Sequence, residues 1–113
     1  MQLELNGKLI ATDNEGYFLD PSLWSAEVAQ IIAQNENTDL SNEHWIVIKF
    51  IREYFELHQC VPEARTLLKE LKTRLSPEQA TRKFLYRLFP YGYGQQACKI
   101  AGMRKPLKIM LDV

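Results

Sequence analysis

The chain has 113 residues, and its fourteen basic and fourteen acidic side chains cancel. That length predicts one domain with a single core, and the absent net charge excludes a global attraction to nucleic acid or anionic membrane. Charge is nevertheless uneven: the first half is acidic, and from Arg65 onward basic residues outnumber acidic ones, so electrostatic recognition has to be local.

No apolar run approaches the roughly twenty residues a bilayer span needs. The first ten residues, MQLELNGKLI, lack the basic and apolar regions of a signal peptide. With only two cysteines, a reducing, cytoplasmic setting with free thiols is expected, rather than a Cys60–Cys98 disulfide.

In chain order, Leu3 to Ile10 alternate about Asn6-Gly7, the dipeptide of a tight β-hairpin. A turn follows through Asp13, Asn14, Glu15 and Gly16. Two strands alone are marginal in water, so Leu3, Leu5, Leu9 and Tyr17 are expected to rest on helices. Asp20-Pro21-Ser22 predicts a helix start, with Trp24, Val28, Ile31 and Ile32 on one face. The polar run from Asn35 to Thr38 ends it. Ser41 is the next expected N-cap, with Glu43 near the positive helix end, and the spacing of Trp45, Ile48, Ile51 and Phe55 predicts a central helix through Leu57.

After His58-Gln59-Cys60-Val61-Pro62, a third helix is expected to bury Ala64, Leu67, Leu68, Leu71 and Leu75. Ser76-Pro77-Glu78 reads as the start of a fourth, carrying Phe84, Leu85, Leu88 and Phe89. Its stop is Pro90-Tyr91-Gly92-Tyr93-Gly94. A short fifth helix from Gln95 to Ala101 should lead through Gly102 into a basic, Pro106-containing arm, a globular body at 1–94 preceding it. Gly102 suits a helix C-terminus and Pro106 stops regular helix. The fold class expected is mainly α with some β: an orthogonal bundle of about five helices, an N-terminal hairpin and a flexible C-terminal arm.

Candidates for chemistry are few. Cys98 stands near Lys99, Arg104, Lys105 and Lys108, cations that would favour its thiolate if they face it; the competing reading is a small buried hydrophobe. Cys60 precedes a helix start and reads as a plain loop residue. His44 and His58, fourteen positions apart, have no partners at metal-ligand spacing, so neither a metal nor a cofactor is expected. A glycine-rich phosphate loop, a nucleophile elbow and a convincing carboxylate pair are missing, which argues against an autonomous hydrolase or nucleotide-dependent enzyme. Tyr91 and Tyr93 with neighbouring basic residues form a candidate interface, while Phe84, Tyr86 and Phe89 are assigned to the core.

The segments RKFLYRLFPYGYGQQ and ACKIAGMRKP resemble the DsrC/TusE family. The likeness extends to TDNEGY, LSNEHW, IVIKFIREYF and VPEARTLLK, nearly the whole chain. That resemblance implies a sulfur-relay (persulfide carrier) protein, a sulfurtransferase-type activity. Its partners would be a sulfur-donor complex and an acceptor enzyme that thiolates tRNA toward 2-thiouridine, or a sulfite-reductase-like complex. It also implies that sulfur is handled on a cysteine next to the C-terminal residue, with a second one upstream, ten residues between them, in the sulfite-reductase branch. Here Cys98 matches the upstream position and Ile109 stands where the tail cysteine belongs. Cys98 is therefore the candidate persulfide carrier, and Arg65, Arg82, Lys83, Arg87, Lys99 and Lys105 are candidate docking residues.

Two further readings stand beside this one. A non-catalytic relative would dock through the arm, with Ile109, Met110 and Leu111 making apolar contacts. Alternatively, Ser41 to Leu75 forms a helix-turn-helix unit offering Arg65, Lys69, Lys72 and Arg74 to nucleic acid. Glu63 and Glu70 offset those cations, so direct nucleic-acid binding is the less favoured.

Overall fold

The computed structural model describes residues 2–5 and 7–106, without the side chains at 2, 3, 5 and 8. The expected contacts of Leu3 and Leu5, and the tail with Lys108, Ile109, Met110 and Leu111, lie outside the described residues.

Strands β1 (Gln2–Leu5) and β2 (Lys8–Ala11) pair antiparallel, with Leu5 opposite Lys8. The two-residue connection has Gly7 at φ +83, as such a tight hairpin turn requires. One step of pairing, Thr12 with Phe18, extends the ribbon around a turn in which the Asp13 carboxylate accepts from the Glu15 and Tyr17 amides at 2.9 Å. That turn delivers Tyr17 and Phe18 to the core. From β2 it is Ile10 that is buried, whereas Leu9 is 59% exposed, against expectation: side chains alternate between faces, and the pairing turns Leu9 outward.

The helix expected after Asp20 is displaced. Pro21–Leu23 form a single 3-10 turn capped by Asp20, and α1 (Ala26–Asn35) begins only after Ser25, whose hydroxyl accepts from the Val28 amide. Trp24 therefore lies in extended backbone between the two. Helix α2 (Asn42–His58) starts at Ser41 as expected. Its cap is reciprocal, because the His44 imidazole accepts the Ser41 amide while the Ser41 hydroxyl accepts the His44 amide. His44 is buried, and its Nε2 lies 2.8 Å from the Leu88 carbonyl. Since a carbonyl only accepts, Nε2 carries the hydrogen.

Helix α3 (Ala64–Arg74) buries Ala64, Leu67 and Leu71. Ser76 does not cap the next helix: its hydroxyl and carbonyl both take the Gln79 amide in a turn. Helix α4 (Arg82–Leu88) starts from Thr81 instead. Leu85, Leu88 and Phe89 are buried, but Tyr86 is 59% exposed, a correction of its assignment to the core. A π-helical turn (Tyr93–Ala97) runs into α5 (Cys98–Ile100).

Val47, Ile48 and Ile51 of α2 are fully buried, each contributing about 1.5–3 kcal/mol by leaving water. Helix α3 packs on α2, and α5 packs on α1 and α2. The short helix expected before the arm is part of the core, since Ala97, Cys98, Ile100 and Ala101 have no exposed surface, and Met103 just after Gly102 is buried with them. At its end Gly102, φ +73, closes α5: its amide reaches the Lys99 carbonyl and the Met103 amide the Cys98 carbonyl. A β-carbon on Gly102 would sit 2.4 Å from Trp24 Cδ1, while one on Gly7 would meet nothing within 4 Å.

Both glycines hold positive φ, so their alanine variants separate backbone strain from packing. Gly7→Ala is expected to cost about 1 kcal/mol. Gly102→Ala, which adds a collision with Trp24, is expected to cost about 3 kcal/mol or more. Urea unfolding monitored by circular dichroism checks both.

Candidate functional site

The candidate carrier thiol lies in the core at the start of α5. Cys98 opens α5, and the Met103 amide on its carbonyl folds the segment 103–106 back toward α2. Three polar anchors hold that fold. The Trp24 indole donates to the Ile100 carbonyl at 2.7 Å, Arg52 donates to the carbonyls of Ala101 and Pro21 at 3.0 and 3.1 Å, and the Phe18 amide donates to the Met103 carbonyl at 3.1 Å. The Arg52 guanidinium also lies over the Trp24 ring, 4.6 Å from its centroid. Carbonyls left open at the end of α5 are thereby satisfied by side chains from two other elements.

Burial fixes the chemistry of the thiol. Cys98 has no exposed surface, and burial pushes its pKa up to about 12, with its hydrogen bond to Tyr93 pulling partly the other way. The Tyr93 hydroxyl donates its hydrogen to the Pro62 carbonyl at 2.5 Å and is itself pushed well above its ordinary range by burial. Tyr93, expected at an interface, is thus an interior residue, while Tyr91 is 67% exposed.

The described cations expected to favour a thiolate are engaged elsewhere. Lys99 lies over the Tyr17 ring at 5.1 Å, Arg104 over the Phe55 ring at 5.8 Å, and Lys105 pairs with Glu15 at 2.8 Å. In this conformation Cys98 is a protonated, enclosed thiol.

Cys60, read from sequence as a plain loop residue, is half-buried. It lines a cavity of about 150 Å³ with Phe55, Gln59, Val61 and the segment Met103, Arg104, Lys105 and Pro106. Only the fold brings this second thiol to the base of the arm, because its partners come from distant stretches of chain.

The six candidate docking residues divide. Lys99 and Lys105 gather around Glu15 and Tyr17. Arg65 and Arg82 line one groove together with Lys69 and Lys72. Lys83 and Arg87 are exposed on α4. Arg74, offered by the helix-turn-helix reading, is occupied by Glu53 at 2.7 Å and Glu70 at 2.8 Å. Among the described residues no group of three His, Cys, Asp or Glu can hold a metal, and no helix is long and apolar enough to cross a membrane.

Two outcomes are expected from this geometry. Alkylation of native protein at pH 8 should modify Cys60, whereas Cys98 should react about a thousandfold more slowly than in the unfolded chain, the thiolate ratio for a pKa moved from 9.0 to about 12; intact mass and peptide mapping check this. Unfolding returns the Cys98 pKa to 9.0, so between 9.0 and about 12 the folded state binds more protons. Its contribution is full below pH 9.0 and is lost as pH rises toward 12. Urea titrations on the alkaline side should show a shallower loss of stability for Cys98→Ala than for wild type.

Comparison with known proteins agrees with this architecture. Residues 4–110 match the family described as DsrC like protein. Sulfurtransferase TusE of Escherichia coli (strain K12) is 43% identical over 106 residues, covering 94% of this chain and 97% of the relative, and that of Salmonella typhimurium matches equally. The solution structure of Allochromatium vinosum DsrC superposes with a TM-score of 0.84 at 42% identity, covering 94% of this chain and 95% of that one. The crystal structure of the oxidised gamma-subunit of the dissimilatory sulfite reductase from Archaeoglobus fulgidus gives 0.88 at 34% identity, covering 95% and 97%. With nearly its whole length matched in sequence and in fold, the chain belongs to the DsrC-like family of sulfur-relay proteins.

Proposed function

We propose that this protein is a persulfide carrier in a cytoplasmic sulfur relay of the TusE/DsrC type, receiving sulfur from a protein donor and passing it toward a tRNA-thiolating acceptor. The observation that carries the reading is the 43% identity to sulfurtransferases named TusE over 94% of the chain. Cys98 is the carrying thiol in this reading, being the cysteine at a family position while Ile109 stands in the tail.

The chemistry is a thiol exchange. Cys98 Sγ, on losing its proton, attacks the outer sulfur of the donor's persulfide anion. The donor's S–S bond breaks, Cys98 becomes the persulfide anion, and the donor sulfur leaves to take up the proton given up by Cys98. Atoms, charge and electrons balance without an external oxidant. A buried thiol cannot make this attack, so in this reading the end of the described chain has to rearrange to bring Cys98 to solvent. The outer ties of segment 103–106 are exposed or weak: the Lys105–Glu15 pair, both partners more than half exposed, and the Arg104 contact with Phe55. An exposed ion pair of this kind holds only weakly, because water and salt screen it.

The enclosure of Cys98 and its pKa of about 12 favour a second reading, a DsrC-like binding or regulatory protein that docks without carrying sulfur. Intact-mass spectrometry after incubation with a persulfide-generating cysteine desulfurase separates the two. Carriage predicts a thiol-reducible gain of one sulfur atom in wild type and Cys60→Ala but not in Cys98→Ala. If no variant gains sulfur while Cys98 alkylates after mild denaturation, the carrier reading fails and the binding reading stands.

A further inference from the structure

Helix α3 divides its charges by face. At 3.6 residues per turn, Arg65, Lys69 and Lys72 fall within about 60° of arc, while Glu63, Glu70 and Arg74 share the opposite flank, with the core stripe between. Arg74 there is neutralised by Glu53 and Glu70. The three cations instead face a groove of about 440 Å³, whose far wall is Ala80 and Arg82 and whose floor includes half-buried Leu68. No carboxylate lines it. Arg65, Lys69, Lys72 and Arg82 are all exposed, and among the described residues none forms an ion pair. Arg65 also occupies the first turn of α3, which holds no acidic side chain, although the helix dipole disfavours a cation there. In a chain of zero net charge, such uncompensated concentration marks a surface that meets negative charge.

We infer that the groove between α3 and the start of α4 is a docking site for an acidic, helical segment of a relay partner protein. This assignment rests on the relay reading for the identity of the partner. Arg65, Lys69 and Lys72 repeat at i, i+4 and i+7 over about 10 Å, the repeat of carboxylates at the same spacing on a partner helix. Leu68 and Ala80 give an apolar residue between those carboxylates a place to rest. A protein segment fits better than a nucleic acid. The groove has no aromatic ring on which a base stacks, and its length is short of the basic track that tight phosphate-backbone binding uses.

The test is fluorescence anisotropy with the full chain. The probes are a labelled helical peptide carrying Glu at i, i+4 and i+7 around a Leu, the same peptide with Gln, and a single-stranded RNA of equal charge. The Glu peptide is expected to bind, the Gln peptide not, and salt to weaken the complex. Lys69→Glu with Arg82→Glu should reduce affinity about tenfold or more, and the milder pair Lys69→Gln with Arg82→Gln by less. Lys49→Glu, a charge change on α2 outside the groove, should leave it within about twofold. Equal binding of both peptides, tighter binding of the RNA, or indifference to Lys69→Glu with Arg82→Glu would overturn the assignment. Persulfide gain at Cys98 is scored on the same variants. Peptide binding without persulfide removes the relay reading alone, and persulfide without peptide binding removes the groove assignment alone.

Discussion

The junction of Trp24, Arg52 and Gly102 is the constraint on which the rest of the structure depends. The indole and the guanidinium satisfy the last carbonyls of α5, and Gly102 supplies both the positive φ and the missing β-carbon that let the chain pass against Trp24. Without a glycine there the backbone would be displaced, and the Met103 carbonyl would lose its bond from Phe18. One close contact therefore couples the N-terminal ribbon, the central helix and the C-terminal segment.

The burial of Cys98 is a consequence of that coupling. Holding 97–103 in the core leaves the thiol buried beside Tyr93, where a charged sulfur has neither water nor an opposed cation. An enclosed thiol is protected from adventitious oxidation, since reactivity needs an accessible thiolate. The outer contacts of segment 103–106, at Lys105 and Arg104, are weak, while Met103 is held by the Phe18 amide. The deep anchors, Trp24 and Arg52, lie on the other side of Gly102 and can persist.

Charge follows a similar division of labour. Acidic side chains of the first half are partly consumed inside the molecule, as Glu53 on Arg74 and Glu15 on Lys105. The cations of α3 and the start of α4 remain uncompensated in one groove. A neutral chain thus presents a locally positive face, and its specificity for a partner depends on placement rather than on total charge.

Periodicity alone determined α2 and α3, because their apolar residues recur at helical spacing and Ser41 caps in the usual manner. The motifs likewise determined the family, since they run through the whole chain. Helix starts were harder to read. Asp20 and Ser76 each form a local turn that competes with a helix cap, and Ser25 and Thr81 take the caps instead. At the site, sequence supplied Cys98 and the adjacency of cations. Only the tertiary structure decided that Lys99, Arg104 and Lys105 turn to Tyr17, Phe55 and Glu15, and that Cys60 meets the segment 103–106 from far along the chain. The physical reason is that a side chain's burial and charge partners depend on which distant elements pack around it, and neighbours in sequence do not report that.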